Sequence, residues 1–329
     1  MGDYPEIKSS TAFGLVDLGD DVVGLELRSK LGVVNSELID GAHEILDELA
    51  TNYAAVVVLN MQKHFSVGAN LKQMSEDLAA DNLDRVDDLI LRGQQWLTSL
   101  RRLAVPVVTA PFGLALGGGS ELTASSWASV ADKDVSIGLV EANVGLIPGW
   151  GGIVEQMRAT ASPASGAEPT TVADQVVPAL VSIFDRVRNA TTAKGAAEAK
   201  EFNFLRPDDR IVDGRDTQVA EAKDLALSLV ATPERRPLET ELFQAGRVGF
   251  DALQQHLDAR ISEESLSTHD VKIATHIMLV LTGGQVDPSW VPEQLVRDAE
   301  RQNLVELAGT TATRERIDHI LATGKPLKN

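Results

Sequence analysis

The 329-residue sequence contains no cysteine. Disulfide bonds, thiolate nucleophiles and cysteine-ligated zinc are therefore excluded. The six histidines form no recognisable metal motif, because His269 and His276 lie on one helical pattern without an HExxH sequence or a facial triad. Structural or surface roles are predicted for the histidines, and no metal site is predicted.

Basic residues are scarce relative to acidic ones, with 30 Lys and Arg against 48 Asp and Glu and a formal net charge of -18. Nucleic acid is therefore not predicted as a partner, because phosphate backbones are bound by clustered Lys and Arg. A small anionic ligand remains compatible with this charge. Backbone N–H groups and one or two lysines can hold a phosphate within a negative overall field.

Long apolar runs are also missing. The longest, Ile277–Leu281 and Ala54–Leu59, are far shorter than the ~20 residues that a membrane span needs. The first ten residues, MGDYPEIKSS, carry neither a basic region nor an apolar core typical of a signal peptide. With 43% hydrophobic and 24% charged residues, the chain has the composition of a soluble globular protein. The sequence predicts a cytoplasmic protein without membrane contact.

Strand and helix patterns alternate over the first 110 residues. Two apolar runs flanking Gly19-Asp20-Asp21 predict a β-hairpin, at Ala12–Asp17 and Val22–Leu27. Continuous β-branched runs predict buried strands at Tyr53–Leu59 and Val105–Thr109. The helical period appears at Ser36–Ala50, with Asn35 as N-cap, and then at Asn70–Leu78 and Leu83–Leu103. This alternation predicts an α/β fold.

From Gly151 onward the strand signals nearly vanish. A Ser-, Pro- and Ala-rich stretch, Ala159–Thr170, predicts an exposed loop. Helices are predicted at Thr171–Val187, Asp216–Leu229, Leu238–Ile261, Thr268–Leu281, Pro292–Leu307 and Thr313–Ala322. The plan is an N-terminal α/β core followed by a mostly helical C-terminal half.

Three glycine-containing stretches stand out, at 64–71, 113–122 and 138–152. In the second, Gly117-Gly118-Gly119 precedes a helical pattern, which exposes N–H groups at the positive end of the helix dipole. Such groups suit an anion or an oxygen that gains negative charge. The stretch is neither a P-loop, which needs Lys followed by Ser or Thr, nor a G-x-G-x-x-G dinucleotide fingerprint. Taken alone, it is equally explained as a tight strand-to-helix turn.

The motifs FSVGANL (65–71), PVVTAPFGLALGGGSEL (106–122) and GLVEANVGLIPGWGG (138–152) occur in this order. Together they resemble the crotonase, or enoyl-CoA hydratase/isomerase, superfamily over about residues 12–260. The twenty-residue interval between Glu121 and Glu141 is similar to that of the hydratases in this family. The resemblance implies a crotonase-like spiral of β-β-α turns, with the active site in residues 1–200 and a helical region at 201–329.

The resemblance also implies roles for individual residues. The backbone N–H groups of Ala69 and Gly118 would form an oxyanion hole for a thioester carbonyl, and Glu121 and Glu141 would be the catalytic carboxylates. Substrate would contact a further set of residues, namely Val67, Ala69, Asn70, Leu71, Lys72, Gly149 and Trp150. No cofactor is implied, because CoA arrives as part of the substrate. Without the motif context, Glu121 and Glu141 would be interpreted as a helix-dipole partner and a turn residue.

Elementary chemistry supports these roles. Polarising a thioester toward an enolate places negative charge on its oxygen, and one fixed N–H donor there is worth about 3 kcal/mol of barrier. Two carboxylates that face one water can supply a general base, here Glu121, and a proton donor to Cα, here Glu141. At several positions, including Asn70, Ser120 and Ile153, the residue differs from the one that is commonest in the family. Trp150 replaces a small residue, and we expect it to narrow the acyl pocket.

The tail, from His269-Asp270 through the segments VLTGG (280–284), PEQLVRDAERQNLVEL (292–307) and TGKPLKN (323–329), resembles the hydratase part of fused 3-hydroxyacyl-CoA dehydrogenase/enoyl-CoA hydratase proteins. The implied partners are an acyl-CoA substrate and either a trimer-type homo-oligomer or a fused or separate dehydrogenase. Three functions stay open. They are hydration of 2-enoyl-CoA in fatty-acid β-oxidation, 3-to-2 enoyl-CoA isomerisation relying mainly on Glu141, and a non-catalytic CoA-binding subunit.

Overall fold

The structure is a computed structural model that describes residues 4–160, 168–232 and 241–329. Most of the predicted loop Ala159–Thr170 lies outside the described residues. At its two edges, helices continue to Thr160 and begin again at Pro169. No helix in the described part of the chain is both long enough and apolar enough to cross a bilayer.

The chain alternates strands and helices in its first half and is mainly helical afterwards. The strands are β1 Glu6–Ser9, β2 Phe13–Asp17, β3 Val22–Leu27, β4 Ala55–Leu59, β5 Val107–Thr109, β6 Leu114–Leu116, β7 Ala128–Asp132, β8 Ser136–Gly138, β9 Thr192–Lys194, β10 Arg210–Val212, β11 Glu241–Gln244 and β12 Ser289–Pro292. The helices are α1 Ser36–Glu44, α2 Leu46–Asn52, α3 Leu71–Ala79, α4 Leu83–Arg102, α5 Gly118–Ala124, α6 Gly152–Thr160, α7 Pro169–Arg188, α8 Ala196–Glu201, α9 Arg215–Ala231, α10 Gly246–Glu264, α11 Thr268–Thr282, α12 Glu293–Ala308 and α13 Thr311–Thr323. Short 3-10 turns occupy Lys30–Gly32 and Glu141–Val144.

The described residues form two compact units. The first contains 4–70, 92–138 and 192–232, and the second contains 71–91, 139–160, 168–191 and 241–329. Each unit therefore collects three separate parts of the chain, because 139–160 and 168–191 belong to one part from which residues 161–167 are left out. The sequence division at residue 200 stays a prediction about where the active-site core ends.

The first unit is built on a seven-stranded sheet of order β1-β2-β3-β4-β5-β7-β10. The predicted hairpin is confirmed, because β2 and β3 pair antiparallel with Phe13 opposite Leu27. From β3 to β10 the pairs are parallel. The β-branched strands are covered by α9, and the core includes Val57, Val108, Val130, Ala222, Leu225 and Ala226. Burying one such Val or Leu side chain contributes about 1.5–3 kcal/mol, which explains the continuous apolar runs.

A second sheet of this unit has the order β6-β8-β9. In chain order, β5 is followed by β6 and α5, and β7 is followed by β8 and a 3-10 turn. The same succession begins at β4, where Ser66 forms an isolated bridge with Ala115 of β6. The three glycine-containing stretches are thus equivalent positions of a β-β-α repeat, each following a strand of the large sheet.

The second unit is mainly helical. Helices α7, α10 and α11 meet at Gly249, where an added Cβ would lie 3.1 Å from both Leu180 Cδ1 and Thr282 Cγ2. Close approach of this kind requires a residue without a side chain at the contact. The strand pair β11–β12 belongs to the same unit.

Several element boundaries differ from the sequence prediction. The helix predicted at Leu238–Ile261 is wrong at residues 241–244, which form β11, because Phe243 pairs with Trp290 of β12 and their rings pack edge to face at 5.4 Å. The single helix predicted at Ser36–Ala50 is divided at Ile45. Its predicted cap is confirmed, since Asn35 Oδ1 accepts a 2.9 Å hydrogen bond from the Leu38 amide.

Candidate active site

The backbone around Ala69 is oriented by a parallel bridge to Val34. The Val34 amide donates to the Gly68 carbonyl at 2.8 Å, and the Asn70 amide donates to the Val34 carbonyl at 3.2 Å. In a parallel bridge the two flanking residues supply these bonds, so the N–H of the central residue points to the opposite side. The Ala69 amide is therefore directed away from Val34.

The other side of this segment lies against the start of α5. Gly68 has φ +87, and a Cβ there would lie 2.8 Å from the Gly118 nitrogen and 2.9 Å from the Leu116 oxygen. A Cβ on Gly119 would lie 2.6 Å from the Ser66 oxygen. Both contacts are backbone to backbone, so only glycine permits them. The structure thus brings the Gly68–Ala69 backbone and the Gly118 amide together.

Gly118 is the first residue of α5, and Gly117, with φ 53, precedes it as N-cap. The Ser120 and Glu121 amides donate to the Gly117 carbonyl at 2.8 and 3.0 Å. The Gly118 N–H lies two positions before that of Ser120, where a helix offers no intrahelical acceptor. The glycine triplet therefore presents one backbone donor at the helix start, next to the segment that carries Ala69.

Glu121 lies in the first turn of α5 and is 3% exposed. The Glu121 carboxylate is therefore not a solvated surface group. The side chain is placed three residues after Gly118, so the backbone donor and the carboxylate belong to one short rigid element. The predicted site residues Ala69, Gly118 and Glu121 all lie in the first unit.

The C-terminal end of α5 is fixed by residues that sequence reasoning missed. Arg206 Nη2 donates to the carbonyls of Ala124 and Ser126, each at 2.5 Å. Asp209 is 3% exposed and accepts from the Arg206 amide at 2.7 Å and from the Ser129 amide at 2.8 Å. A cation at a helix C-terminus also complements the helix dipole. Nothing in the local sequence marks Arg206, because its partners lie about 80 residues away.

Hydroxyl groups complete the support of α5 in the interior of the first unit. Thr123 Oγ1 donates to the Gly119 carbonyl at 2.9 Å, and Ser126 Oγ donates to the Thr123 carbonyl at 2.7 Å. Thr109 Oγ1 lies 3.2 Å from Ser126 Oγ and 2.9 Å from Ser129 Oγ. These buried groups satisfy one another, which fixes a single arrangement of the helix that carries Glu121.

Glu141 lies in the second unit, at the first position of the 3-10 turn Glu141–Val144, and is half-buried. The turn ends at Gly145, which has φ +84. The Leu146 amide donates back to the Glu141 carbonyl at 3.1 Å. Residues from α11 and α13 contact this turn.

Gly149 and Trp150 belong to a buried turn of the second unit that packs against α12. Trp150 is 2% exposed, and its carbonyl accepts from Arg297 Nη1 at 3.5 Å. A Cβ on Gly149 would lie 2.4 Å from Leu304 Cδ1. Arg297 is itself held by Glu293 at 2.6 Å and by Glu155 at 3.0 Å. The acyl-side residues predicted from sequence thus share one turn, supported by a C-terminal helix.

The remaining predicted substrate contacts are more exposed. The Val67 amide donates to the Leu31 carbonyl at 3.2 Å, which places Val67 beside the Lys30–Gly32 turn. Leu71 and Lys72 open α3 in the second unit, and the Lys72 side chain is 79% exposed at 3.8 Å from Glu76. Among residues 4–160, 168–232 and 241–329, no three His, Asp or Glu side chains are grouped to hold a metal.

Parts of the sequence are similar to those of known proteins. The family model described as enoyl-CoA hydratase/isomerase matches residues 22–179. A probable 3-hydroxyacyl-CoA dehydrogenase of Bacillus subtilis (strain 168) is 34% identical over 328 residues, which cover 98% of this chain and 40% of that protein. A probable enoyl-CoA hydratase of the same organism is 28% identical over 121 residues, which cover 36% of this chain and 46% of that protein. In each case the match covers less than half of the relative's own length.

Solved structures share the fold at low sequence identity. An enoyl-CoA hydratase from Bacillus halodurans superposes with a TM-score of 0.61 at 13% identity, covering 94% of this chain and 99% of that one. An enoyl-CoA hydratase/isomerase from Xanthobacter autotrophicus Py2 gives 0.60 at 17% identity, with 96% and 95% covered. The crotonase-like α/β fold predicted from the three motifs is confirmed, and residues 22–179 match the family model described as enoyl-CoA hydratase/isomerase.

Proposed function

We propose that this protein hydrates 2-enoyl-CoA to 3-hydroxyacyl-CoA. The observation that supports the proposal most directly is the contact between the Gly68–Ala69 backbone and the Gly118 amide. Gly118 and the buried carboxylate of Glu121 lie on the same short helix, α5. Two backbone donors and an adjacent carboxylate are the groups that water addition to an unsaturated thioester requires.

In the proposed reaction the amides of Ala69 and Gly118 donate to the thioester oxygen. Hydration begins when water attacks Cβ and the electron pair of the Cα=Cβ bond moves toward that oxygen, which gives an enolate. Fixed donors stabilise the developing charge, each by about 3 kcal/mol. Because these donors are backbone amides on rigid elements, they need no reorganisation when the charge appears.

Two carboxylates complete the proton transfers in this proposal. Glu121 accepts a proton from the attacking water, and Glu141 delivers a proton to Cα as the enolate collapses. The net change is addition of one water across the double bond, and proton exchange with solvent returns both side chains to their starting states. Each general acid or base contributes about 10²–10⁴ in rate.

The CoA moiety is expected to contact the Ala69–Lys72 segment, just after Val67. Val67 is hydrogen-bonded to the Lys30–Gly32 turn, so an exposed lysine, Lys30, stands beside the predicted CoA side. Lys63 and Lys72 are further exposed candidates for a phosphate. One or two such lysines suffice for a small anion despite the net charge of -18.

A dehydrogenase is the natural consumer of a 3-hydroxyacyl product. One relative is named a probable 3-hydroxyacyl-CoA dehydrogenase. Another, from Rickettsia felis, is named a putative fatty acid oxidation complex trifunctional enzyme and is 32% identical over 129 residues, which cover 39% of this chain and 18% of that protein. We propose that the protein acts in cytoplasmic β-oxidation together with a 3-hydroxyacyl-CoA dehydrogenase, which is either fused to it or a separate protein. A trimer-type homo-oligomer is the alternative assembly.

The proposal is tested with crotonyl-CoA, whose absorbance falls on hydration. The wild type should consume it, and Glu121→Gln and Glu141→Gln should each lower kcat by about 10²–10⁴. Glu76→Gln, at a side chain that is 67% exposed on α3, is the matched control and should keep wild-type activity. Near-full hydration by Glu121→Gln would end the assignment of Glu121 as the base.

The two alternative functions give different outcomes in the same assays. A 3-to-2 isomerase would convert 3-enoyl-CoA in a reaction that Glu141→Gln abolishes and Glu121→Gln tolerates. A non-catalytic CoA-binding subunit would bind crotonyl-CoA without consuming it. Product analysis with both substrates therefore separates the three functions.

A further inference from the structure

We infer that Thr313 and Arg316 of α13 are positioning residues for Glu141, an inference that rests on the proposed function. Thr313 Oγ1 donates to the Gly145 carbonyl at 2.8 Å. Arg316 Nη1 donates to the Ala142 carbonyl at 3.3 Å. The Ala142 carbonyl belongs to the second residue of the turn that begins at Glu141, and the Gly145 carbonyl belongs to the residue that ends it, so α13 donates to the turn at two points.

The Thr313 hydroxyl is itself oriented by α11. His269 Nε2 lies 2.9 Å from Thr313 Oγ1. Because the single hydroxyl hydrogen is directed to the Gly145 carbonyl, His269 must donate, which requires a proton on Nε2. Burial, together with the nearby charge of Arg316, lowers the pKa of His269, which favours the neutral ring that carries only this proton. A Cβ on Gly145 would lie 2.8 Å from Thr313 Oγ1 and 3.0 Å from His269 Nε2, so the contact leaves no room for a side chain.

The guanidinium of Arg316 is held equally firmly. The residue is 2% exposed. Its Nη2 donates to Asp270 Oδ1 at 2.8 Å and to Ser267 Oγ at 3.2 Å, and its Nε donates to Asn329 Oδ1 at 2.8 Å. A buried arginine whose three nitrogens all donate hydrogen bonds is a rigid donor. The bond to the Ala142 carbonyl is therefore set by the surrounding helices.

The turn depends on these bonds because its packing is incomplete on one side. A cavity of about 120 Å³ is lined by Ala142, Asn143 and Arg316, among other residues of the second unit. Such a space is large enough to admit water. Within the turn, the Gly145 amide donates to the Ala142 carbonyl at 3.2 Å. Val140, the N-cap residue of the turn, provides no side-chain hydrogen bond. Loss of the α13 donors would leave the turn room to shift.

A shift of this turn has a kinetic consequence. The proton donor to Cα must be within hydrogen-bond reach in the reacting geometry. A misplacement of about 1 Å costs roughly 10²-fold in rate. The expected effect appears in kcat, since the groups proposed to bind CoA are separate from this turn.

The test compares Thr313→Val with Thr313→Ser in the full chain. Valine removes the hydroxyl while keeping its shape, and serine keeps the hydroxyl. We expect Thr313→Val to lower kcat for crotonyl-CoA hydration about tenfold or more, with KM within twofold, and Thr313→Ser to restore it. Hydrogen–deuterium exchange at residues 143–146 should be faster in Thr313→Val only. Thr323→Val, which removes a hydroxyl bonded within α13 to the His319 carbonyl, is the control and should change neither.

The outcomes separate this inference from the proposed function. In an active enzyme, an unchanged kcat or unchanged exchange in Thr313→Val overturns the positioning role, even if its melting temperature falls. If the wild type hydrates no enoyl-CoA, the proposed function has failed. The exchange experiment then tests only whether α13 stabilises the turn. Equal exchange rates at residues 143–146 in the wild type and Thr313→Val would show that it does not.

Discussion

The alpha carbon of Gly68 lies so close to Gly118 that an added Cβ would stand 2.8 Å from the Gly118 nitrogen. Two residues fifty positions apart in sequence thus meet through backbone atoms alone. The same contact brings the Gly68–Ala69 segment and the helix of Glu121 together in the first unit. Because the proposed oxyanion hole consists of backbone amides, its geometry depends on which residues are small enough to permit this approach.

Substituting Gly68 should therefore affect catalysis more than folding. In Gly68→Ala the new Cβ must displace the Gly118 amide, and we expect kcat for hydration to fall about 10²-fold or more, the cost of losing one donor. Gly214→Ala is a matched control, since Gly214 also has positive φ, +98, but meets nothing within 4 Å. Both variants carry similar backbone strain. Equal kcat losses in the two would contradict the proposed role of the Gly68–Gly118 contact.

Arg206 should matter for stability. Arg206→Met removes donors from the carbonyls of Ala124 and Ser126, and charge-assisted bonds of this kind contribute about 1.5–3 kcal/mol. We expect a comparable decrease in the free energy of unfolding, measured with urea. Arg210→Met is the comparison, because its pair with Glu221 is 41% and 45% exposed and should contribute less than about 1 kcal/mol. A smaller effect at Arg206 than at Arg210 would refute the argument.

Stability should depend on the protonation of His269. Burial, and then the Arg316 charge, lower the pKa of this imidazole below its ordinary value of 6.5. The unfolded chain therefore binds the proton first, so this contribution is present above about pH 6.5 and is lost as the pH falls through the lowered value. Urea midpoints between pH 7.5 and 5 should decrease more steeply for the wild type than for His269→Gln.

A second histidine, His64, contributes to the pH dependence of stability. Burial, and then the charge of Lys63, lower the pKa of His64 as well, so its effect has the same sign. His64 is present in both proteins and cancels from the difference between them. Parallel pH curves for the wild type and His269→Gln would show that His269 is not linked to folding.

Trp150 is expected to control acyl-chain preference. If its ring narrows the acyl pocket, Trp150→Ala should raise kcat/KM for long enoyl-CoAs relative to crotonyl-CoA. Removing so buried a ring also costs about 3–5 kcal/mol of stability, so folding must be checked by thermal unfolding. Trp290→Ala, at the ring that packs on Phe243, is a stability control that should leave the ratio of kcat/KM values unchanged. An unchanged ratio in Trp150→Ala would dismiss the idea.

Sequence reasoning was most successful where the signal is local. The hairpin, the Asn35 cap, the buried strands and most C-terminal helices follow from side-chain periodicity and capping chemistry within a few residues. The three motifs led to the resemblance to the enoyl-CoA hydratase/isomerase family, whose model matches residues 22–179, and to the fold, which the solved structures confirm. Local patterns failed at β11, because Leu242 and Phe243 take their conformation from Val291 and Trp290 of a distant strand.

The sequence by itself determined the kinds of elements, their order and the glycine stretches that follow the strands, because these depend on neighbours along the chain. Only the tertiary structure decided which side chains hold those stretches in place. Arg206 contacts a carbonyl 82 residues away, Thr313 one 168 residues away and Arg316 one 174 residues away. Such pairs leave no local pattern, since a hydrogen bond between distant residues forms only after packing has fixed both groups.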